Sequence, residues 1–438
     1  MNNKTWSLES FQEYSRRYLV GGISSNFRNN PYTSLPMYLS GADGAYLTDI
    51  SGKEYLDFFM GHGAVLLGHN RKEVKDAIVK ALDYGFTAEF DDLRTAELAK
   101  QITEIIPGAE RVRFTNSGSE ATLLAMRMAR GIKGREKIVR IDGHFHGVHD
   151  YVLFNNLAGL SDKTNTGDRQ SEIHLFSSGI PKAVIESQII IPWNNLNAFE
   201  RIVKNHAHEI AAILMNPIDY NNGCITTTSE YLQGIVRIAH KNDIIVIFDE
   251  ILSGFRTGLS GAQGYYEVTP DITLIGKALS NGVPLAAIVG KDEYMSKIMD
   301  KDLPVIHGGT FSGNLLGVSA ALASLEIMKQ PDFYSGLFSV AHYFYENLQK
   351  LFDDSDIPAI VQHLGSNFFI YFGTREPVTD YRQFDSLNWS MMKNFVHNCI
   401  KEGLYFHTDF TVSAAHTMKD IDEALGKIEK IIKSGVLH

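Results

Sequence analysis

Short apolar runs alternate with amphipathic stretches along most of the chain. "RVRFT" from Arg111, "KIVRID" from Lys137, "IAAILMNPI" from Ile210, "DIIVIFDE" from Asp243, "DITLIG" from Asp271 and "LAAIVG" from Leu285 are uniformly apolar over most of their length. A strand covered on one face alternates apolar with polar positions, whereas one covered on both faces does not. These six runs predict strands of a sheet buried on both sides. Helical patterns lie between several of them: "SEATLLAMRMARGIK" from Ser119, "NLNAFERIVKNH" from Asn195 and "SEYLQGIVRIAHKN" from Ser229. Such alternation predicts an α/β fold, with a mostly parallel sheet flanked by helices. Helices are also predicted near 8–19, 72–84 and 418–432, and a long helical stretch runs from Gly313 to about Leu351. The tail mixes helices with short strands. The expected organisation is an N-terminal segment, 1–70, that contributes to a small lobe and the active site, a large α/β domain, 71–327, and a smaller α+β domain, 328–438.

Composition narrows the function classes. The 438 residues are 44% hydrophobic and 21% charged, as in ordinary globular chains. A formal charge of −10 and the lack of a basic run argue against nucleic-acid or anionic-membrane partners. Cys224 and Cys399 are far apart, which rules out a disulfide framework and points to a reducing compartment. The start "MNNKTWSLESFQEY" lacks the apolar stretch of a signal peptide, and no run approaches the ~20 apolar residues of a membrane span. A cytoplasmic protein is the expectation.

Four places combine into chemistry. "NSGSEA", Asn116 to Ala121, joins a strand to a helix, and its small residues let backbone N–H groups approach an anion such as phosphate. A plain capped helix start, with Ser117 or Ser119 as the cap, is the simpler alternative. "DGHFHGVHD" places His144, His146 and His149 close together without a familiar metal-ligand pattern, so no metal is expected; Phe145 among them could stack on a flat ring. "VIFDEILSGFR" ends its apolar run in Asp249 and Glu250, at the strand end where parallel sheets meet ligands; a structural salt bridge is the alternative. "TLIGKALSNGVPLAAIVG" holds a single lysine, Lys277, between two buried-looking segments. Low dielectric favours its neutral amine, which can form a Schiff base with an aldehyde, although an isolated lysine more often extends to solvent. A phosphate cradle, a ring stacker, a carboxylate and an amine are together what pyridoxal 5′-phosphate requires.

The sequence resembles the class III (subgroup II) aminotransferases of pyridoxal-phosphate fold type I, and within them the glutamate-1-semialdehyde 2,1-aminomutase-like branch. "GGISSNFR", "GAYLTDISGKEYLDF", "LLGHN", "FTNSGSEATLLAMRMAR", "FHGVHD", "FDEILSGFR", "IGKALSNGVPLAAIVG", "GGTFSGN" and "SAAHTMKDID" occur in that order over nearly the whole chain. The resemblance implies that Lys277 anchors the cofactor and that Gly118 and Ser119 hold its phosphate. It further implies that Phe145 stacks on the ring, Asp249 pairs with the ring nitrogen and Asn221 lies near the ring hydroxyl. Thr310 would reach the phosphate from a neighbouring subunit, which implies a homodimer. Arg28 would bind a substrate carboxylate. His62 stands where the aminomutase has a tryptophan, as a further substrate-binding position.

Two departures accompany it. The family's "EP" after the central strand is here "NP", with Asn216 replacing glutamate. The aminomutase's "FEAG" loop has no counterpart in "YFHTDFTVSAAHT", which carries no glutamate between Tyr405 and His416. The expected activity is therefore transfer of an amino group between a carboxylate-bearing amino acid, β-amino acids included, and a keto acid. An intramolecular aminomutase or racemase is the alternative, and a non-catalytic scaffold of the same fold is a remoter one.

Overall fold

The computed structural model describes residues 6–85, 89–156 and 171–437. All six apolar runs form strands, and "QIII" adds a seventh. Their order across the sheet is Arg111–Thr115, Ala286–Gly290, Ile272–Ile275, Ile245–Glu250, Ile210–Met215, Lys137–Ile141 and Gln188–Ile191. The last five are parallel to one another. Ala286–Gly290 runs antiparallel to both of its neighbours, so the sheet is mixed rather than uniformly parallel. Every residue of the strands Ile210–Met215 and Ile245–Glu250 is buried, which is why neither alternates.

The helix Gly118–Lys133 follows the first of these strands. Ser117 caps it by accepting the Glu120 N–H at 3.2 Å, and Gly134 ends it in the left-handed region at φ 61°. Ala121, Ala125 and Ala129 recur every four residues and are fully buried, so the helix axis can lie close to the sheet. Leu124 and Met128 pack in one cluster with Ile245, Ile247, Ile272, Leu274 and Ile288. Each such side chain contributes roughly 1.5–3 kcal/mol on burial. This packing fixes the start of the helix, and with it the Asn116–Ser119 turn, against the carboxyl ends of the central strands.

The chain divides into two compact units. One comprises Glu73–Pro331 with Val378–Ser386 and contains the seven-stranded sheet. The other is built from Met1–Lys72, Asp332–Pro377 and Leu387–His438. In this second unit Leu39–Asp43, Tyr46–Asp49 and Glu54–Asp57 form an antiparallel sheet, extended by the parallel pair Leu404–Tyr405. A three-stranded sheet, Ala359–Leu364, Asn367–Phe372 and Phe410–Thr411, lies within the same unit. Phe58 stacks on both Phe344 and Phe406, each at 4.9 Å between centroids, and forms the middle of an aromatic core.

One sequence expectation changes here. The long helical stretch after Gly313 is two helices, Leu315–Met328 and Phe333–Asp353. Pro331 lies between them; it has no N–H to continue the ladder and disfavours a helical conformation at Gln330. Among the described residues no helix is long and apolar enough to cross a membrane.

Candidate active site

Successive side chains of a strand point to opposite faces, and Asp249 and Glu250 illustrate it. Asp249 lines a cavity of about 160 Å³ at the carboxyl ends of the central strands. Glu250 does not line it; its carboxylate accepts the N–H of Ala262 at 2.6 Å, the N–H of Gln263 at 3.3 Å and Gln263 Nε2 at 3.1 Å. Burial pushes the Glu250 carboxyl up to about 7, with those donors opposing the shift. The two neighbouring acids thus have separate surroundings, one at a cavity and one enclosed by protein donors.

Asp249 is held on both oxygens. Oδ1 accepts the Ile251 N–H at 3.1 Å, and Oδ2 lies 2.8 Å from His146 Nδ1. His146 is fully enclosed, and burial lowers its pKa despite the carboxylate beside it. An imidazole facing a carboxylate donates from the near nitrogen, which leaves the Nε2 lone pair outward; no partner meets it among the described residues. The other two histidines of the cluster are also engaged: His144 Nδ1 accepts the Asn216 N–H at 3.0 Å, and His149 Nε2 lies 3.0 Å from Thr122 Oγ1. Asn216 donates Nδ2 to the Asp249 carbonyl at 3.0 Å, while its buried Oδ1 meets no protein donor among the described residues. An amide at this position supplies the bond to Asp249 without a second buried charge.

The start of the helix Gly118–Lys133 also borders the cavity, with Gly118 and Ser119 forming part of the wall. Two glycines lie in close approach to their neighbours. A Cβ on Gly118 would lie 3.0 Å from Ile251 Cγ2. One on Gly147, where φ is +107°, would lie 2.4 Å from Ser119 Oγ. The Val148 N–H donates to Ser119 Oγ at 3.0 Å and holds the loop bearing Phe145 down on the helix start. Backbone N–H groups at a helix start favour an anion such as phosphate.

Lys277 lines the same cavity, after Gly276 at the end of the strand Ile272–Ile275. It begins a short turn, Lys277–Ser280, with φ +44°. A side chain held in the left-handed region costs about 1 kcal/mol or more and persists where the surroundings dictate it, often at functional sites. Phe145 and Asn221 complete the set, so six of the sequence-predicted residues meet around one cavity: Gly118, Ser119, Phe145, Asn221, Asp249 and Lys277.

The other three lie elsewhere. Thr310 belongs to the same unit but is exposed and does not line the cavity; its carbonyl accepts the Glu89 N–H at 3.1 Å. Arg28 and His62 belong to the second unit. Arg28 is exposed and ends the turn Asn26–Arg28, capped by Ser25. His62 adopts φ +54°, and its Nδ1 lies 2.9 Å from Oδ2 of Asp409, a buried carboxylate. Asp409 matches no motif, since the glutamate of that stretch is missing, and the acid in "HTDF" is its one signal in the sequence. His146 stands among three histidines whose spacing speaks only to metal ligation, and its pairing with Asp249 has no signal along the chain.

The family model described as Aminotransferase class-III matches residues 27–432. The chain belongs to the class III aminotransferases. Among curated class III relatives, glutamate-1-semialdehyde 2,1-aminomutase of Methanocaldococcus jannaschii is 35% identical over 435 residues, covering 98% of each chain. The same-named protein of Methanopyrus kandleri is 33% identical over 431 residues, covering 97% of each. Among solved structures, an omega-transaminase from Sphaerobacter thermophilus superposes with a TM-score of 0.91 at 26% identity, covering 98% of this chain and 97% of that one. Class III aminotransferases use pyridoxal 5′-phosphate, and that is the cofactor of this enzyme. The cavity fits it: a helix start, an aromatic ring, a carboxylate and a lysine all line one space, and Asn216 Oδ1 and His146 Nε2, in residues of the same lining, meet no protein partner among the described residues.

Proposed function

We propose that this enzyme is an intermolecular aminotransferase acting on a carboxylate-bearing amino acid, with β-amino acids within its range, and on a keto acid. The observation that carries this reading is the convergence of Lys277, Asp249, Phe145 and the Gly118–Ser119 turn on one cavity. Bound cofactor supplies a carbonyl to take up the amino group and a ring to store the electron pair released from substrate. Lys277 Nζ anchors the cofactor at rest and, once free, carries the proton taken from the amine-bearing carbon. Asp249 keeps the ring nitrogen protonated, and His146 and the Ile251 N–H hold that carboxylate in place. Gly118 and Ser119 take the phosphate, Phe145 the ring face and Asn221 the ring hydroxyl. Thr310, exposed in its own chain, supplies a hydroxyl to the phosphate of a second copy, which makes the working form a homodimer. Arg28 takes the substrate carboxylate, and His62, oriented by Asp409, contacts the remainder of the substrate.

An intramolecular transfer is the second reading, favoured by the names of the curated relatives at 33% and 35% identity. Omitting the keto acid separates the two. Continued turnover of an amino donor without any acceptor would establish the intramolecular reaction; arrest after one equivalent, reversed by adding a keto acid, is the expected result.

Arg28 gives a further prediction. A planar guanidinium binds a carboxylate through two parallel hydrogen bonds, which an ammonium does not reproduce. Arg28→Lys should raise KM for amino acids about tenfold, with the resting spectrum unchanged. The decarboxylated amine should be little affected, and equal effects on both substrates would remove Arg28 from the site.

A further inference from the structure

Asp219 is fully buried, outside the lining of the cavity, and no role in the reaction accounts for it. A buried carboxylate is costly unless donors surround it. Here Oδ1 accepts the Asn221 N–H at 3.1 Å, and Oδ2 accepts Asn222 Nδ2 at 2.9 Å and the Tyr381 hydroxyl. The backbone of Asp219 also exchanges two hydrogen bonds with Ile225, at 3.0 and 3.1 Å. The acid therefore closes the turn that carries Asn221. Burial pushes its carboxyl up to about 6, with the Tyr381 and Asn222 donors opposing the shift.

The same group reaches the loop that carries Phe145. Asn222 Nδ2 donates to the Gly143 carbonyl at 2.7 Å as well as to Asp219. The Tyr381 ring lies against Gly143, where φ is +82° and a Cβ would come within 2.6 Å of the ring. Tyr381 belongs to Val378–Ser386, the segment that returns to the large unit between two stretches of the other. That segment is itself fastened: Asn194 Nδ2 donates to the Thr379 carbonyl at 3.2 Å, and Gln383 Oε1 accepts the N–H groups of Thr379 and Asp380 at 2.8 and 3.0 Å.

We propose that Asp219 and Tyr381 are positioning residues, which together set the Asn221 turn and the Phe145 loop at the spacing the cofactor ring requires. The inference rests on the reading of this cavity as the cofactor site. Neither residue touches the cavity; both act through residues that do.

Tyr381→Phe removes the hydroxyl and leaves the ring on Gly143. Titration of the cofactor-free protein with pyridoxal 5′-phosphate, followed by protein fluorescence, should show affinity weakened about tenfold, and the near-visible band of the bound cofactor should shift. Adding Tyr381→Phe to Asn221→Ala should then cost much less than it does in the wild-type background, since the two act on one contact. Unchanged affinity and band in Tyr381→Phe, or full additivity with Asn221→Ala, would overturn the proposal. If Tyr381→Phe does not fold, Asp219→Asn carries the same comparison. Wild-type protein tests the underlying reading separately: failure to bind the cofactor would remove the site itself, whereas normal wild-type binding with an unaffected Tyr381→Phe would remove the positioning role alone.

Discussion

Lys277→Ala should lower turnover by at least ~10³-fold, because on the proposed roles the variant loses both the anchoring amine and the group that moves the substrate proton. Borohydride treatment of the wild-type holoenzyme should fix the near-visible chromophore to a peptide containing Lys277; the variant should hold cofactor that washes away. The positive φ of Lys277 sharpens the expectation. Alanine in that conformation gains nothing from the side chain's contacts and still bears the backbone strain, so the melting temperature of the cofactor-free variant should not rise. Turnover at the wild-type rate would end the assignment.

Asp249→Asn should reduce kcat by about 10²–10³-fold while leaving the fold intact. The amide oxygen can still accept the Ile251 N–H at the Oδ1 position. The amide cannot supply the negative charge proposed to keep the ring nitrogen protonated, and it weakens the bond to His146 Nδ1. A loss in kcat greater than the loss in cofactor affinity distinguishes an electronic role from a merely supporting one. An unchanged kcat would make Asp249 a structural acid, like its neighbour Glu250.

The contrast between those two acids shows how much of the site was legible in the sequence. Position within the chain placed Asp249, Lys277, Phe145 and the Asn116–Ser119 turn at strand ends, because uniformly apolar runs mark a sheet covered on both faces. Position could not show that Glu250 is enclosed by Ala262 and Gln263, since those donors arrive from a later helix. The bond between Tyr381 and Asp219 is illegible for the same reason: the residues are remote in sequence and neither lies in a motif. "QIII" was too short to separate from loop, and an apolar run carries no sign of its direction, so the antiparallel course of Ala286–Gly290 emerged only from its pairing. Pro331, by contrast, was a legible break within the stretch after Gly313.

That antiparallel strand has a consequence for the order in which a growing chain can become competent. Arg111–Thr115, which leads directly into the Asn116–Ser119 turn proposed to take the phosphate, joins the sheet through Ala286–Gly290. That pairing, the one sheet contact of Arg111–Thr115 among the described strands, cannot form during synthesis until the partner Ala286–Gly290 has left the ribosome. Lys277 emerges in the same late interval, just before that partner. On the proposed roles, the anion cradle and the anchoring amine should thus be completed almost together, so that capture of the cofactor by its phosphate should not long precede covalent capture. Loading should therefore fall late in folding, and a chain truncated before Ala286 should emerge with Arg111–Thr115 unpaired and an exposed sheet edge open to aggregation.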